Sequence, residues 1–365
     1  MTLGPGPRAL QSATARAISL SRSVARPVRS CSSAPRCSRA RSPHAALAAP
    51  ILMTASLVFS SVAAAQRPIV AEGALDLVLP TGARAVALGQ AAMALDGTTE
   101  SVWWNPSALA GMRGTTAAIH HSQSLGGKAD AISVVANSRL LGSFGVSASL
   151  RDFGATTGAD DSGTEGGTIL PRSLIYAATY AAALDRLSVG LSYKLVQWRV
   201  DCTGPCAGET GILSSTSALD AGAQLSLDPV LPVKIGASVR NVGLRVQVND
   251  EQQADPLPSR LQAGLEWRVS ALNTLAAGTE LRLTADMVSD MRRIDPSPRL
   301  GAEVAWQRRI HFRGGYASRD GGFGGPSLGV GYDTGNLAID FARLFDEVSS
   351  ATGAEPTYLS VRYRF

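Results

Sequence analysis

Residues 356–365 read PTYLSVRYRF. Taken alternately, Leu359, Val361, Tyr363 and Phe365 fall on one face, and Ser360, Arg362 and Arg364 fall on the other. That is the period of a β-strand, apolar on one side and cationic on the other. The last residues of a soluble domain ordinarily fray. A strand that keeps its pattern to the final residue is expected to be held there by a partner.

The same alternation recurs along the chain. It predicts strands over 114–122, 129–139, 141–152, 172–184, 186–200, 214–227 and 231–243. It continues over 258–270, 272–288, 298–307, 309–318, 326–333, 335–345 and 356–365, about fourteen in all. In LSVGLSYKLVQWRV, Leu187, Val189, Leu191, Tyr193, Leu195 and Gln197 share one face, against Ser188, Gly190, Ser192 and Lys194. The connections alternate in length. Short turns are expected near Arg139-Leu140, Leu184-Asp185-Arg186, Asp228-Pro229-Val230, Ser270-Ala271, Gln307-Arg308-Arg309 and Asp333-Thr334-Gly335. Longer loops are expected at 153–171, 201–213, 244–257, 289–297, 319–325 and 346–355, with a modest one near 123–128. Short turns at one end and long loops at the other, around an even number of antiparallel strands, describe a transmembrane β-barrel of a bacterial outer membrane. Strands of about ten residues suit a tilted bilayer crossing. A β-sandwich would not gather its long loops at one end, and a propeller would repeat a motif every 40–50 residues.

In a barrel the last strand must pair with the first, because lipid offers no partner to an open edge. The apolar face of 356–365 is then expected to meet outer-membrane lipid. This ending resembles the C-terminal signature of bacterial outer-membrane proteins, carried here by Val361, Tyr363 and Phe365. The resemblance implies recognition by the barrel assembly machinery.

The net charge of +5 invites a nucleic-acid reading, but its distribution removes it. Residues 1–65 hold eight arginines and no acid; without them 26 basic residues face 29 acids. An apolar stretch from Ala45 to Val62 follows the arginines and reaches Ala63-Ala64-Ala65-Gln66. Positive region, apolar core and small-residue site make a secretory signal peptide over 1–65. A membrane anchor and a mitochondrial-type presequence are the alternatives. The basic region is longer than export needs, so the start of translation is expected downstream of Met1.

Residues 66–113 do not alternate and are expected to form a small N-terminal hatch, with the barrel over 114–365. Ala85 to Leu95 has a helical pattern of small residues, followed by a turn at Asp96-Gly97 and by Trp104-Asn105-Pro106-Ser107. Pro106 lacks an N–H and pushes Asn105 out of helical space, which fixes a kink. Such a kink serves equally as a gate or as a tight corner. This segment resembles the PorV/PorQ family, relatives of the FadL-like transporters. The matching residues are Gly82-Ala83-Arg84-Ala85, Gly89, Ala91, Asp96 and Trp104 to Ala110, with Val239-Arg240-Asn241-Val242-Gly243 further on. Gln90 stands where a glycine is common, and Ser107 where an alanine is. The resemblance implies a hatch inside the barrel, with Trp104, Asn105, Pro106 and Ser107 as gate candidates. It implies a role in protein export or attachment at the cell surface, in the manner of a type IX secretion shuttle. The alternatives are a FadL-like transporter of hydrophobic small molecules and a purely structural barrel. An enclosed apolar pocket beside Trp104-Asn105-Pro106 would favour transport, and a tightly packed hatch under an open mouth would favour protein binding.

Other chemistry is sparse. Cys202 and Cys206 lie on one outer loop, where an exported chain is expected to bridge them; Cys31 and Cys37 leave with the leader. No histidine near them in sequence completes a metal site. His120, His121 and His311 form no triad, Asp160, Asp161 and Glu165 match no calcium loop, and GGYASRDGGFGGP lacks a phosphate-binding lysine. Trp103 and Trp104 line an apolar path or pack. The chain is therefore expected not to be an enzyme and to need no metal or cofactor.

Overall fold

The computed structural model describes residues 72–124, 126–138, 140–159, 165–204, 212–247, 254–269, 277–292, 296–318, 324–346, 349 and 355–365. The expected signal peptide lies outside the described residues. The strands are β1 (Thr115–Ser124), β2 (Gly127–Ser138), β3 (Gly142–Asp152), β4 (Thr156–Ala159) and β5 (Glu165–Leu184). Next come β6 (Leu187–Thr203), β7 (Ile212–Ser226), β8 (Val233–Gly243), β9 (Arg260–Val269) and β10 (Thr279–Asp290). The last are β11 (Pro296–Trp306), β12 (Ile310–Ala317), β13 (Gly325–Asp333), β14 (Leu337–Leu344) and β15 (Thr357–Arg364).

Each strand pairs antiparallel with its sequence neighbour, β3 pairs directly with β5, and β15 pairs with β1 from Thr116↔Arg364 to Gln123↔Thr357. The ring is thus closed by fourteen strands, matching the fourteen expected, and β4 stands outside it. Closure leaves no edge, which is what lipid demands of backbone N–H and C=O groups. Among the described residues no helix is long and apolar enough to cross a membrane.

The pleat sorts the side chains. Ile119, Val146, Leu191, Leu265, Phe312 and Val330 all point outward and are 42–62 % exposed. Ser133, Ser192, Gln262, Glu266 and Glu303 turn inward and are buried. Phe144, Tyr180, Trp267, Trp306, Tyr332 and Tyr363 sit outward near the strand ends that carry the tight turns, as an interfacial aromatic girdle does. Phe144 stacks on Tyr180 at 5.1 Å between centroids, and Tyr363 meets Phe365 edge-on at 5.0 Å. This end is the periplasmic one. A closed ring with such a band is a bacterial outer-membrane barrel.

Three expectations need correction. The turn placed at Ser270-Ala271 is a longer connection, because Val269, the last residue of β9, pairs with Leu281 of β10. The modest loop near 123–128 is a tight turn, since Ser124 pairs with Gly127, whose φ of +90° closes it. Part of the loop expected at 153–171 is strand: β4 and the first turn-side residues of β5 form a hairpin, with Thr156 opposite Ile169. This hairpin reaches beyond the ring on the long-loop side.

Within the ring, the ladder between β7 and β8 carries a bulge between Leu219 and Ala221. Opposite it is Asn241 of the VRNVG stretch, left-handed at φ +59°. Its N–H donates to Asp220 Oδ1 at 2.8 Å, and Lys194 Nζ lies 2.6 Å from Asp220 Oδ2 and 3.0 Å from Asn241 Oδ1. Asparagine tolerates this conformation better than other non-glycine residues, which suits it to a bulge.

Val361 faces lipid between Ile119 of β1 and Ile339 of β14. Val361→Arg should cost about 2–4 kcal/mol of barrel stability, the range for a cation on the lipid face well inside the band. Thr157→Arg on β4, outside the ring, should change little. Urea unfolding in lipid vesicles measures both; equal midpoints would refute the lipid-facing assignment of the closing strand.

Candidate functional site

The lumen is filled by residues 72–114. From the long-loop side, a 3-10 turn (Leu75–Val78) leads to helix α1 (Ala83–Ala87), and two further 3-10 turns follow (Thr99–Trp103 and Pro106–Gly111). The helix is far shorter than the 85–95 pattern predicted. Gly89 and Gln90 are both left-handed, at φ +61° and +62°, and two such residues in succession end a right-handed helix. Gln90 therefore holds a conformation that glycine favours.

A buried irregular segment must find partners for its backbone elsewhere. The wall supplies them. Ala83 N–H donates to Ser360 Oγ at 2.9 Å, Gly89 N–H to Ser327 Oγ at 3.2 Å, and Met93 N–H to Asp286 Oδ2 at 3.0 Å. In return, Gln224 Nε2 donates to the carbonyls of Met93 at 2.8 Å and Leu95 at 3.0 Å, and Gln262 Nε2 donates to that of Gln90 at 3.1 Å. The inward serines and glutamines of the strands are thus fixed partners of the hatch backbone.

Charge holds the hatch as well. Arg84, buried, lies 3.5 Å from Glu303 Oε2 through Nε and donates to the Asp96 carbonyl at 3.2 Å. Glu303 also takes Arg313 at 2.5 Å, and Arg313 takes Asp340 at 2.6 Å. At the periplasmic end Asp96 receives Lys234 at 2.5 Å, Arg282 at 2.9 Å and Arg268 at 3.7 Å. These cations hold its carboxyl well below the usual range despite burial.

The gate candidates are brought together as a corner. Asn105, fully buried, caps the Pro106–Gly111 turn: its Oδ1 accepts from Ser107 N–H at 3.2 Å and Ser107 Oγ at 2.7 Å. Its Nδ2 donates to the Met93 carbonyl at 2.7 Å, tying two limbs of the hatch. Trp104 donates through Nε1 to the Thr81 carbonyl at 2.8 Å, with the Arg240 guanidinium 5.2 Å from its ring centroid. Trp103 and Trp104 belong to the buried apolar core. Beside them lies a polar chamber of only about 20 Å³, room for about one water.

The apolar cavity lies higher. A chamber of about 360 Å³ opens between the first hatch residues, Gly73 to Asp76, and the β6–β7 wall at Val196, Trp198 and Thr216. Phe153 packs on Trp198 at 4.8 Å to give it an aromatic side. Its rim is fixed by Gly73 N–H donating to the Pro256 carbonyl at 3.0 Å and by Arg260 gripping Glu72 at 2.8 and 3.0 Å. Sequence reasoning missed this chamber, because Phe153, Trp198 and Leu75 are far apart in the chain and meet only through the fold.

The remaining sequence candidates stay apart. His120, buried, shares its Nδ1 with Ser360 Oγ at 2.8 Å; His121 faces outward to Asp130 at 2.7 Å; His311 lies 3.7 Å from Glu303. Cys202 is disulfide-bonded, while Cys206, Asp160 and Asp161 lie outside the described residues. Among the described residues no group of ligating side chains could hold a metal.

This is a plugged fourteen-strand outer-membrane β-barrel. No protein-family model matches the chain, and no curated protein matches it by sequence. Among solved structures, the CymD monoaromatic hydrocarbon channel aligns over 81 % of this chain and 99 % of its own, at 14 % identity and a TM-score of 0.51. The P. putida toluene transporter TodX aligns over 78 % and 98 %, at 12 % identity and a TM-score of 0.50. A Pseudomonas aeruginosa FadL homologue aligns over 79 % and 99 %, at 14 % identity and 0.47. At such identities the likeness extends to the fold.

Proposed function

We propose that this barrel is a non-enzymatic conduit for hydrophobic small molecules across the outer membrane, with residues 72–114 as its closed hatch. The observation that carries the reading is the apolar chamber of about 360 Å³ at the outer mouth, within the size of a small-molecule site. It stands directly above a plug whose every limb is tied to the wall, so a ligand that loosens the first hatch residues acts on the gate itself. CymD, a monoaromatic hydrocarbon channel, and TodX, a toluene transporter, share the fold and support the reading. The PorV/PorQ-type role in protein attachment is the second reading. It is favoured by the β4–β5 hairpin beyond the ring and by the packed corner at Trp104–Ser107.

Uptake of radiolabelled toluene by a Gram-negative host tests transport. Cells making the protein should take it up severalfold faster than cells making Val196→Phe, which fills the chamber. Equal rates would overturn the conduit. Shortening the β4–β5 hairpin should leave uptake unchanged, whereas attachment of exported proteins at the surface would need it.

A further inference from the structure

The chamber above the hatch has a one-sided chemistry. Its charged lining residues are Glu72, Asp76 and Asp255, all carboxylates; the rest are apolar or hydroxyl-bearing. Arg260, which reaches Glu72, is already held between Glu72 and Asp290, the latter at 3.5 Å. Asp76 forms the floor. It is buried, its Oδ2 accepts from Ser173 Oγ, and its Oδ1 has no hydrogen-bond partner. Arg151, Lys194 and Arg240 lie below that floor, around the polar chamber of about 20 Å³, which has no room for a carboxylate. A mouth lined by one sign of charge repels ligands of that sign.

From this lining, and resting on the conduit reading above, we infer that the chamber takes neutral hydrophobic molecules and rejects carboxylates of the same chain length. An apolar body fits against Leu75, Val196, Val246 and the Phe153–Trp198 pair. Among the described lining residues an anionic head finds no cation and meets the carboxylates of Glu72, Asp76 and Asp255. Discrimination by an unpaired buried charge is far stronger than by one methylene more or less.

Trp198 in the lining provides the test. The whole protein, reconstituted in phosphatidylcholine nanodiscs at pH 8, is titrated with 10-bromodecan-1-ol and with 10-bromodecanoate, and bromine quenching is followed. Trp198→Phe defines the signal from other tryptophans. The alcohol should quench Trp198 at a concentration at least tenfold below the acid. Asp76→Asn should narrow the difference between acid and alcohol at least severalfold, while Val196→Phe should abolish the quenching by both. Equal quenching by alcohol and acid in the wild type would overturn the inference and leave the conduit standing. Quenching by neither would mean that the chain itself fills the chamber, and would overturn the conduit as well.

Discussion

Gly236→Val and Gly315→Val are each expected to unseat the hatch and turn the closed barrel into an open pore. A Cβ at Gly236 would overlap the Met93 carbonyl, and one at Gly315 would overlap Gly89 N. Both obstacles are backbone, so no side-chain rotation relieves them. Both also lie where the hatch is already fixed: Met93 N–H is bonded to Asp286 and Gly89 N–H to Ser327. Overpacking a filled core costs about 1–3 kcal/mol for added methylenes, and direct overlap with main chain exceeds that range. The strands are constrained by both neighbours and the hatch is not, so the hatch yields. Gly314 is the control: it alternates with Gly315, and a Cβ there would make ordinary contact with Leu328 at 3.6 Å. Planar-bilayer conductance should rise by an order of magnitude or more for the two inward variants and stay at the wild-type level for Gly314→Val. Unchanged conductance in all three would mean that the hatch does not close the lumen.

The barrel was legible because two rules act on every strand at once. Lipid outside and hatch inside force alternation, and each closing strand must pair, so LSVGLSYKLVQWRV and PTYLSVRYRF announce both face and period. Each of the fourteen expected strands overlaps an observed one. What stayed hidden obeys neither rule. The β4–β5 hairpin projects past the ring, and its threonines and glycines read as loop. The chain after Leu88 leaves the helix because Gly89 and Gln90 turn left-handed, and an Ala-rich pattern cannot show that. The role of the inward serines and glutamines, Ser327, Ser360, Gln224 and Gln262, was visible only as polarity. Their partners are main-chain atoms of a segment more than a hundred residues away in sequence. Asn105 was found by its proline, and the structure makes it a corner. The chamber above the hatch had no local signal, since it is bounded by residues from the hatch, β6, β7 and the β8–β9 loop.

Arg84→Met is expected to release the hatch from the β11–β15 side of the wall, and Glu100→Gln is expected to restore part of the loss. Arg84 is the buried cation of α1, set against Glu303, with Glu100 and Asp96 close enough to act on it. Removing one member of a buried ion pair costs about 3–5 kcal/mol, because the partner keeps its charge without compensation. Glu303 retains Arg313, so the uncompensated member is Glu100. This residue lies in the Thr99–Trp103 turn of the hatch, away from the spanning strands. Burial, with the Asp340 carboxylate adding to it, pushes its carboxyl up to about 7 from an ordinary 4.5. A docked hatch therefore holds a proton that a released hatch gives up between pH 4.5 and about 7. Docking weakens as pH rises through that window and is level above it. In Arg84→Met the carboxyl loses its main nearby cation, so the penalty grows toward higher pH. At pH 7.5, hydrogen exchange in residues 83–112 should be faster by at least a hundredfold in Arg84→Met, with barrel strands unchanged. Arg84→Met/Glu100→Gln should recover at least tenfold of that, and Glu100→Gln alone should flatten the pH dependence of hatch protection between pH 5 and 7. Protection in the double variant no better than in Arg84→Met would show that Glu100 is not the charge Arg84 compensates.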